Sequence, residues 1–552
     1  MLCLPALLLG LILRLSFMAV LPECYYGSDS NSYYDTTSFM WCHGKWDLGI
    51  KRRWLYPLLL LPTPALPGRN VVNISILQHA LGLATLLGIG WIVMHLTRRP
   101  GIWVPLVTSI CALWPRMVWH EHEVLAEPVM VASFVLAVAL IFPIERFREP
   151  RRLFWFLMAA ALIVAVKPHG RPFWLGLMIV AAILAGLPWR WGKPSFREPR
   201  RLVCLLLVAG LIVAVDSRGR PLWLGLTIVA VILASMPLRW SNPCWAALAL
   251  SVLMIRTTGS ANQGPWLLLS SAFPLVNTEK GEYLEYRQIL RPYVEEARAD
   301  IPQYAWKQMK YKKMLVESGD TITLGPDWQA LVSPKDKTKF LKVCGTLAKD
   351  AIIHSPLTYT RMVLQKIGVV LTDDQTGYRM APRGFWKGQV GDNVDRWAKH
   401  PEAMRLLYGM DQPEYQALAN RRINENAWYI RPVALFSRAF NWMNSARDTV
   451  TGKRSLQPAW FGILALFGFI TCLFPSRWRE TSPLWIPLLI FLGIIFGIGD
   501  SLSRYLQPID WIGVTFVALG LDWVLAWIWR PKSVTEEAAP ATSSVAVENA
   551  PS

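Results

Sequence analysis

Two acidic residues lie where a carboxylate could act on a hydroxyl group or a phosphate. Asp29 follows a long apolar run within a polar stretch rich in Ser and Tyr, and Glu127 stands near the start of another apolar run. A carboxylate at the boundary of a membrane span is costly unless it has a partner or a function. Either residue could be a general base for an acceptor hydroxyl, or share a divalent cation (Mg²⁺ or Mn²⁺) that bridges a phosphate.

The turn that precedes Glu127 is rich in residue types that bind metals. It reads His-Glu-His-Glu over 120–123, which makes His122, Glu123 and Glu127 candidate metal ligands. Alternating residues on a turn do not have the i, i+4 spacing of a helical zinc site. A metal site and a polar turn without a metal therefore both fit this stretch.

Basic residues recur in short loops between the apolar runs, beside Trp and Tyr. Cations in such places suit an anionic ligand such as a lipid-linked phosphate. They also suit lipid headgroups or nearby carboxylates, so both interpretations stay open. The residues concerned are Arg53, Lys167, Arg171, Arg218, Arg220 and Arg504.

The elements that must position these residues are apolar runs of membrane-spanning length. Of the 552 residues, 53% are hydrophobic, and the mean hydropathy is +0.30, whereas a soluble domain has about 45–50% apolar residues. The pattern predicts an all-α polytopic membrane protein with about twelve transmembrane helices, the first of them retained as a helix. The runs lie at 3–21, 74–97, 101–119, 123–143, 152–166, 172–189, 201–215, 221–238, 242–256, 457–475, 482–499 and 508–529.

The distribution of Lys and Arg sets the expected orientation. With the N-terminus inside, the inner loops carry most of the arginines that flank the runs, as the positive-inside rule requires. The net charge of +19 is explained in this way without a nucleic-acid partner. Both termini are then cytoplasmic, the protein lies in the inner (plasma) membrane, and Asp29, Glu127 and Arg504 face the periplasm or the cell exterior.

Composition divides the chain into membrane and extramembrane regions. The long polar segment between the two groups of spans is large enough for a small soluble domain of mixed structure. The regions are an N-terminal transmembrane module (1–256) with a first outward loop (22–73), an outward-facing segment (257–457) with an interfacial helix (346–371), C-terminal transmembrane helices (458–531) and a disordered cytoplasmic tail (532–552).

A tandem repeat with a period of 49 residues interrupts the N-terminal module. The first copy, 147–195, and the second copy, 196–244, each read as a hairpin of two spans joined by a short outward turn. Because each copy adds an even number of spans, the duplication leaves the downstream topology unchanged. A recent duplication without a new function accounts for it, and which copy serves the site stays open.

Short motifs occur along the chain in the order seen in one family of membrane enzymes. Asp29 and Tyr33 form an Asp-x-x-x-Tyr pattern, and Arg53 and Tyr56 belong to an Arg-x-x-Tyr-Pro pattern. The later motifs are Leu-Ala-Glu-Pro at 125–128, Arg-Pro at 171–172, Ile-His-Ser-Pro-Leu-Thr-Tyr at 353–359 and Ser-Arg-Tyr-Leu-Gln-Pro at 503–508. The chain thereby resembles the C superfamily of integral-membrane glycosyltransferases, in particular bacterial relatives of protein O-mannosyltransferases and lipid A aminoarabinose transferases, which are similar to glycosyltransferase family 39.

The resemblance implies an enzyme that moves a sugar from a polyprenyl-phosphate-linked donor to a lipid, glycan or protein acceptor on the outward face. Direct displacement would invert the anomeric centre. The implied catalytic residues are Asp29 as the base and Glu127 in support of it. The residues expected to bind substrate are Tyr33, Arg53, Tyr56, Lys167, Arg171, Arg218, Arg220, Arg504 and Tyr505.

Two other classes of function use the same features. A transporter or flippase of an anionic lipid-linked substrate would need polar residues along several spans. Most spans are nearly uncharged, with Arg14, Asp510 and Asp522 as exceptions, which favours the enzyme. A non-catalytic assembly subunit would use the long outward segment for docking.

Overall fold

The computed structural model is helical in every regular element that it describes. The described part of the chain contains two groups of helices, each with its own hydrophobic core. The described residues are 1–20, 22–24, 28–44, 55–147, 149–167, 170–186, 264–301, 304–316, 326–332, 337–371, 397–419, 460–498 and 507–529.

The larger core is formed by apolar helices from both ends of the chain. The helices of the N-terminal region that contribute to this core are α1 (Leu4–Val20), α2 (Ser28–His43), α3 (Leu55–Leu60), α4 (Asn70–Leu96), α5 (Pro100–Leu113), α6 (Pro115–Glu121), α7 (Glu127–Ile141), α8 (Pro150–Val166) and α9 (Arg171–Gly186).

Polar groups from distant parts of the sequence meet at the two ends of this bundle. At one end, Asp522 accepts hydrogen bonds from the backbone N–H of Arg98 (3.0 Å) and from the indole of Trp103 (2.8 Å). At the same end, Arg477 donates to the carbonyl oxygen of Leu96 at 3.0 Å. The opposite end contains Tyr33, Tyr56, Glu127 and Lys167, which are among the residues expected to do chemistry.

Three described helices are long and apolar enough to cross a membrane. They are α4, a helix at Trp478–Ile498, and Gln507–Ile528. Six shorter apolar helices accompany them, so the described residues do not reach the predicted number of about twelve spans. The predicted spans at 201–256, within the repeat and just after it, lie outside the described residues.

Proline explains why some predicted spans are short. The run at 101–119 was expected to be one span, but it divides at Trp114 into α5 and α6 because Pro115 follows. Proline has no N–H for the helix ladder and restricts the residue before it. The 14 residues of α5 rise only about 21 Å, less than the roughly 30 Å of a bilayer core. The region 101–119 is therefore not one continuous helix.

The smaller core belongs to the segment predicted to face outward with mixed structure. Its described residues are helical, so the prediction of mixed structure is wrong for them. The helices are α10 (Gly264–Ala272), α11 (Leu284–Ala299), α12 (Tyr304–Val316), α13 (Pro326–Val332), α14 (Lys337–His354) and α15 (Pro356–Leu371). Two later helices of the same segment, α16 (Pro401–Tyr408) and α17 (Gln412–Ala419), contribute Met404, Leu407, Tyr408 and Tyr415 to the larger core instead.

The predicted interfacial helix at 346–371 is two helices. The chain breaks at Ser355 between α14 and α15, because Pro356 has no N–H to continue the ladder of α14. Helix α15 is attached to the bundle through Tyr359, whose hydroxyl donates to the carbonyl oxygen of Gly497 at 2.5 Å. Lys366 donates to the neighbouring carbonyl of Phe496 at 3.4 Å.

The C-terminal helices complete the bundle. They are α18 (Trp460–Cys472), α19 (Trp478–Ile498) and α20 (Asp510–Ile528). Helix α18 packs on α20, and α19 packs on α9. The first copy of the repeat is present as the α8–α9 hairpin, while the second copy and the tail at 532–552 lie outside the described residues.

Candidate functional site

A buried ion pair between Glu127 and Lys167 lies at the end of the bundle where α7 begins and α8 ends. Glu127 is 2% exposed and Lys167 is 5% exposed. Each charge sits where the helix dipole favours it, a carboxylate in the first turn of α7 and an ammonium just after the last turn of α8. The pair joins two helices through residues that are 40 positions apart in the sequence.

Two tyrosines of the expected site lie together and are buried. Tyr33 of α2 packs edge-to-face on Tyr56 of α3, with ring centroids 5.1 Å apart. The hydroxyl of Tyr56 donates to Oε1 of Gln78 at 2.5 Å. Burial raises the pKa of Tyr56, which keeps its phenol a neutral hydrogen-bond donor.

Gln78 links these tyrosines to the turn before α7. Its Nε2 donates to the carbonyl oxygens of Glu123 at 2.7 Å and Glu121 at 3.0 Å. The turn is therefore held by backbone bonds to one face of α4. This contact places the start of α7, and with it Glu127, relative to α2 and α3.

Glu121 forms a second buried ion pair with Arg14 of α1. Both guanidinium-to-carboxylate distances are 2.6 Å, which is a two-point contact. Arg14 also donates to the carbonyl oxygens of Gly10 (3.2 Å) and Ala112 (3.3 Å). A Cβ at Gly82 of α4 would overlap the Glu121 carboxylate, so glycine is what allows the pair to lie between α1 and α4.

A chain of hydrogen-bonding side chains continues from Glu121 along α4. His79 lies between Glu121, 3.0 Å from its Nδ1, and His122, 3.0 Å from its Nε2. Nδ1 of His122 is also 2.8 Å from the hydroxyl of Ser75. Ser75 and His79 are four residues apart, so they lie on one face of the helix. All four side chains are buried.

A third buried pair joins α6 to the start of α20. Arg116 donates to Asp510 at 3.3 Å, and both side chains are at least nine-tenths buried. Asp510 is in the first turn of α20, where the helix dipole favours a negative charge. The Arg-Tyr motif expected to bind substrate precedes this helix directly in sequence.

Protein-family models, curated proteins and solved structures were compared with this chain, and none matches. The resemblance to the C superfamily of glycosyltransferases therefore stays a prediction.

The structure brings together part of the predicted site. Tyr33, Tyr56, Glu127 and Lys167 are at the same end of the bundle, and Arg171 is exposed at the first turn of α9. Asp29 belongs to the first turn of α2, and its side chain is outside the described part. The other predicted residues, all outside the described part, are Arg53, Arg218, Arg220, Arg504 and Tyr505.

The candidate metal ligands have separate partners. Glu127 contacts Lys167, His122 contacts Ser75 and His79, and the Glu123 carboxylate is 3.3 Å from His120. Among the described residues, no group of three or more His, Cys, Asp or Glu side chains is arranged to hold a metal ion. The role of Mg²⁺ or Mn²⁺ stays a prediction.

Sequence reasoning missed the Arg14–Glu121 pair and the part played by His79 and Gln78. The sequence indicates Arg14 only as a charge within an apolar run, and Glu121 only as one member of a possible metal cluster. A charge inside a spanning run is itself the available signal, because such a residue needs an opposite charge nearby.

Proposed function

We propose that this protein is a membrane glycosyltransferase that moves a sugar from a polyprenyl-phosphate-linked donor to an acceptor on the periplasmic face of the inner membrane. The observation that carries the proposal is the convergence of Tyr33, Tyr56, Glu127 and Lys167 on one end of the bundle, beside the helix that contains Asp29. These residues come from motifs spread over more than a hundred positions of the sequence.

The proposed reaction is a displacement at the anomeric carbon. The acceptor oxygen forms a bond to that carbon while the bond from the carbon to the phosphate oxygen breaks. The polyprenyl phosphate leaves with the bonding electrons, and the hydroxyl proton passes to the carboxylate of Asp29. General-base catalysis of this kind contributes about 10²–10⁴ in rate. One direct displacement inverts the anomeric configuration.

Charge at the membrane surface supports the proposal. The leaving phosphate is anionic, and Arg171 is exposed four residues after the buried Lys167. Because Glu127 already neutralises Lys167, we assign to Lys167 the positioning of the α8–α9 turn and to Arg171 the contact with phosphate. An exposed guanidinium can bind phosphate oxygens at two points.

We further propose a multi-pass topology with about twelve spans and both termini in the cytoplasm. The arginines near Asp522 gather at one end of the bundle, while the paired acids gather at the other. This separation agrees with the positive-inside rule when the arginine-rich end is cytoplasmic.

The enzyme is tested by reconstitution in liposomes with a panel of polyprenyl-phosphate-linked sugars and a membrane extract as acceptor. Asp29→Asn is expected to lower the rate of sugar transfer by about 10²–10⁴. Asp35→Asn is the matched control, because Asp35 is a carboxylate on the same helix. If folded Asp29→Asn protein retains full transfer, the proposal is wrong.

A second candidate function, transport of an anionic lipid-linked substrate, is favoured by one observation. Arg14, Glu121, His79 and His122 form a continuous buried chain within the bundle, and such chains are typical of proton relays in transporters. Movement of a fluorescent polyprenyl phosphate across vesicles without any covalent product, together with its loss in His79→Phe, would establish this alternative instead of the enzyme.

A further inference from the structure

We propose that the first copy of the tandem repeat builds the polar end of the bundle, and that the second copy cannot take its place. The inference concerns how the two copies differ at positions where the first copy contacts the rest of the protein. It holds whether the site transfers a sugar or transports a lipid.

The most informative difference is a reversal of charge. Lys167 of the first copy forms the buried ion pair with Glu127. One period of 49 residues later, the corresponding residue of the second copy is Asp216. An aspartate placed beside Glu127 would bring two carboxylates together in a buried site, where like charges repel and neither is solvated.

Two phenylalanines of the first copy that make ring contacts correspond to leucines in the second. Phe173 is buried between Phe134 of α7 and Phe491 of α19, with ring centroids 4.3 Å and 4.1 Å away. The corresponding residue of the second copy is Leu222. A leucine at this position loses both ring contacts and leaves unfilled volume.

The second aromatic contact lies at the other end of the hairpin. Phe156 packs edge-to-face on Phe147 at 5.1 Å, and its counterpart in the second copy is Leu205. Because Phe147 also belongs to the first copy, this difference concerns packing within the hairpin and not its contact with α7 or α19.

The second copy has nevertheless kept the glycine that lets the first copy approach α19 closely. Gly176 of α9 lies so close to Pro487 of α19 that a Cβ would overlap the proline. Its counterpart, Gly225, is also glycine. The copies thus share the glycine that allows close approach to α19 and differ in the side chains that contact Glu127, Phe134 and Phe491. These side chains therefore specify which copy occupies the position.

Cross-linking tests directly which copy of the repeat lies beside Glu127. In a chain whose eight cysteines are replaced by serine, Glu127→Cys is combined either with Lys167→Cys or with Asp216→Cys. A short bifunctional thiol reagent in membranes is expected to link only the first combination. A link in the second combination, or no link in the first, would overturn the proposal.

Deletion of one whole period tests the same idea without cysteines. Removal of 196–244 keeps the first copy, and removal of 147–195 places Asp216 where Lys167 was. We expect the thermal midpoint in detergent to stay unchanged in the first deletion and to fall by about 5 °C or more in the second. If only the protein that lacks 147–195 fails to accumulate in membranes, this result counts as the same loss of stability.

The matched control is Asp216→Lys in the chain that lacks 147–195. It restores the charge that pairs with Glu127, so the thermal midpoint or the level of protein in membranes is expected to rise. Equal behaviour of the two deletions, or no rise on Asp216→Lys, would show that the copies are interchangeable and would refute the proposal.

Discussion

Replacement of Glu121 by leucine is expected to be among the most destabilising single changes in the bundle. The carboxylate accepts two hydrogen bonds of 2.6 Å from Arg14, and Arg14 is 2% exposed. Glu121→Leu leaves the guanidinium buried with only the carbonyl oxygens of Gly10 and Ala112. Removing one partner of a buried ion pair costs about 3–5 kcal/mol.

The double variant Arg14→Met with Glu121→Leu distinguishes the free energy of the ion pair from the contribution of side-chain packing. Replacing both charges of a buried pair with apolar residues of similar size is often neutral or stabilising by about 1–4 kcal/mol. The double variant should therefore be at least as stable as the native protein, although each single variant is several kcal/mol less stable. This difference is the coupling energy of the pair.

Thermal unfolding in detergent, followed by the fluorescence of the 28 tryptophans, measures the effect. The control is Glu295→Leu, which removes an exposed ion pair with Arg291 on α11 that has an N–O distance of 3.0 Å. Such a pair contributes only about 0.3–0.5 kcal/mol. If Glu121→Leu shifts the midpoint no more than this control, or the single effects simply add in the double variant, the reasoning is refuted.

Three further predictions concern other contacts. Gly82→Ala should lower the thermal midpoint because its methyl group would overlap Glu121, and this loss should vanish in a Glu121→Ala background that leaves room for it. Phe173→Leu should cost roughly 0.5–1.5 kcal/mol from lost ring contacts, in addition to lost volume, by the same unfolding measurement. A spin label at Leu357, which is 86% exposed on α15, should collide more often with oxygen than with a polar nickel chelate, as expected at a lipid surface. The reverse preference is expected for a label at the exposed Lys349. Equal collision rates at the two positions would contradict a membrane-facing helix.

The helical class of the protein could be predicted from hydropathy, because an apolar run must satisfy its backbone hydrogen bonds internally. The ends of the helices were less predictable. The run at 101–119 has apolar residues on both sides of Pro115, so hydropathy does not detect the break that proline introduces. The same applies to Pro356, where hydropathy continues across two helices.

The candidate site was predictable only residue by residue. Glu127 and Lys167 were each singled out as charges at the ends of apolar runs, but the sequence did not indicate that they contact each other. The contact between Arg14 and Glu121 joins residues 107 positions apart, and no local pattern encodes a pairing over that distance. Neighbours in sequence do not all share partners either, since His122 contacts Ser75 and His79 whereas Glu123 contacts His120.

The separation of Arg14 from Glu121 has a consequence for biosynthesis. A ribosome that adds about 5–20 residues per second needs roughly 5–20 s to complete the stretch between them, and during this time the first helix contains a cation whose counter-ion does not yet exist. Insertion scales assign about 2.5–3.5 kcal/mol to an arginine in the centre of a membrane helix. In the proposed topology, the nascent first helix is therefore expected to stay beside the insertion machinery until α6 emerges, so that the arrival of Glu121 releases it into lipid.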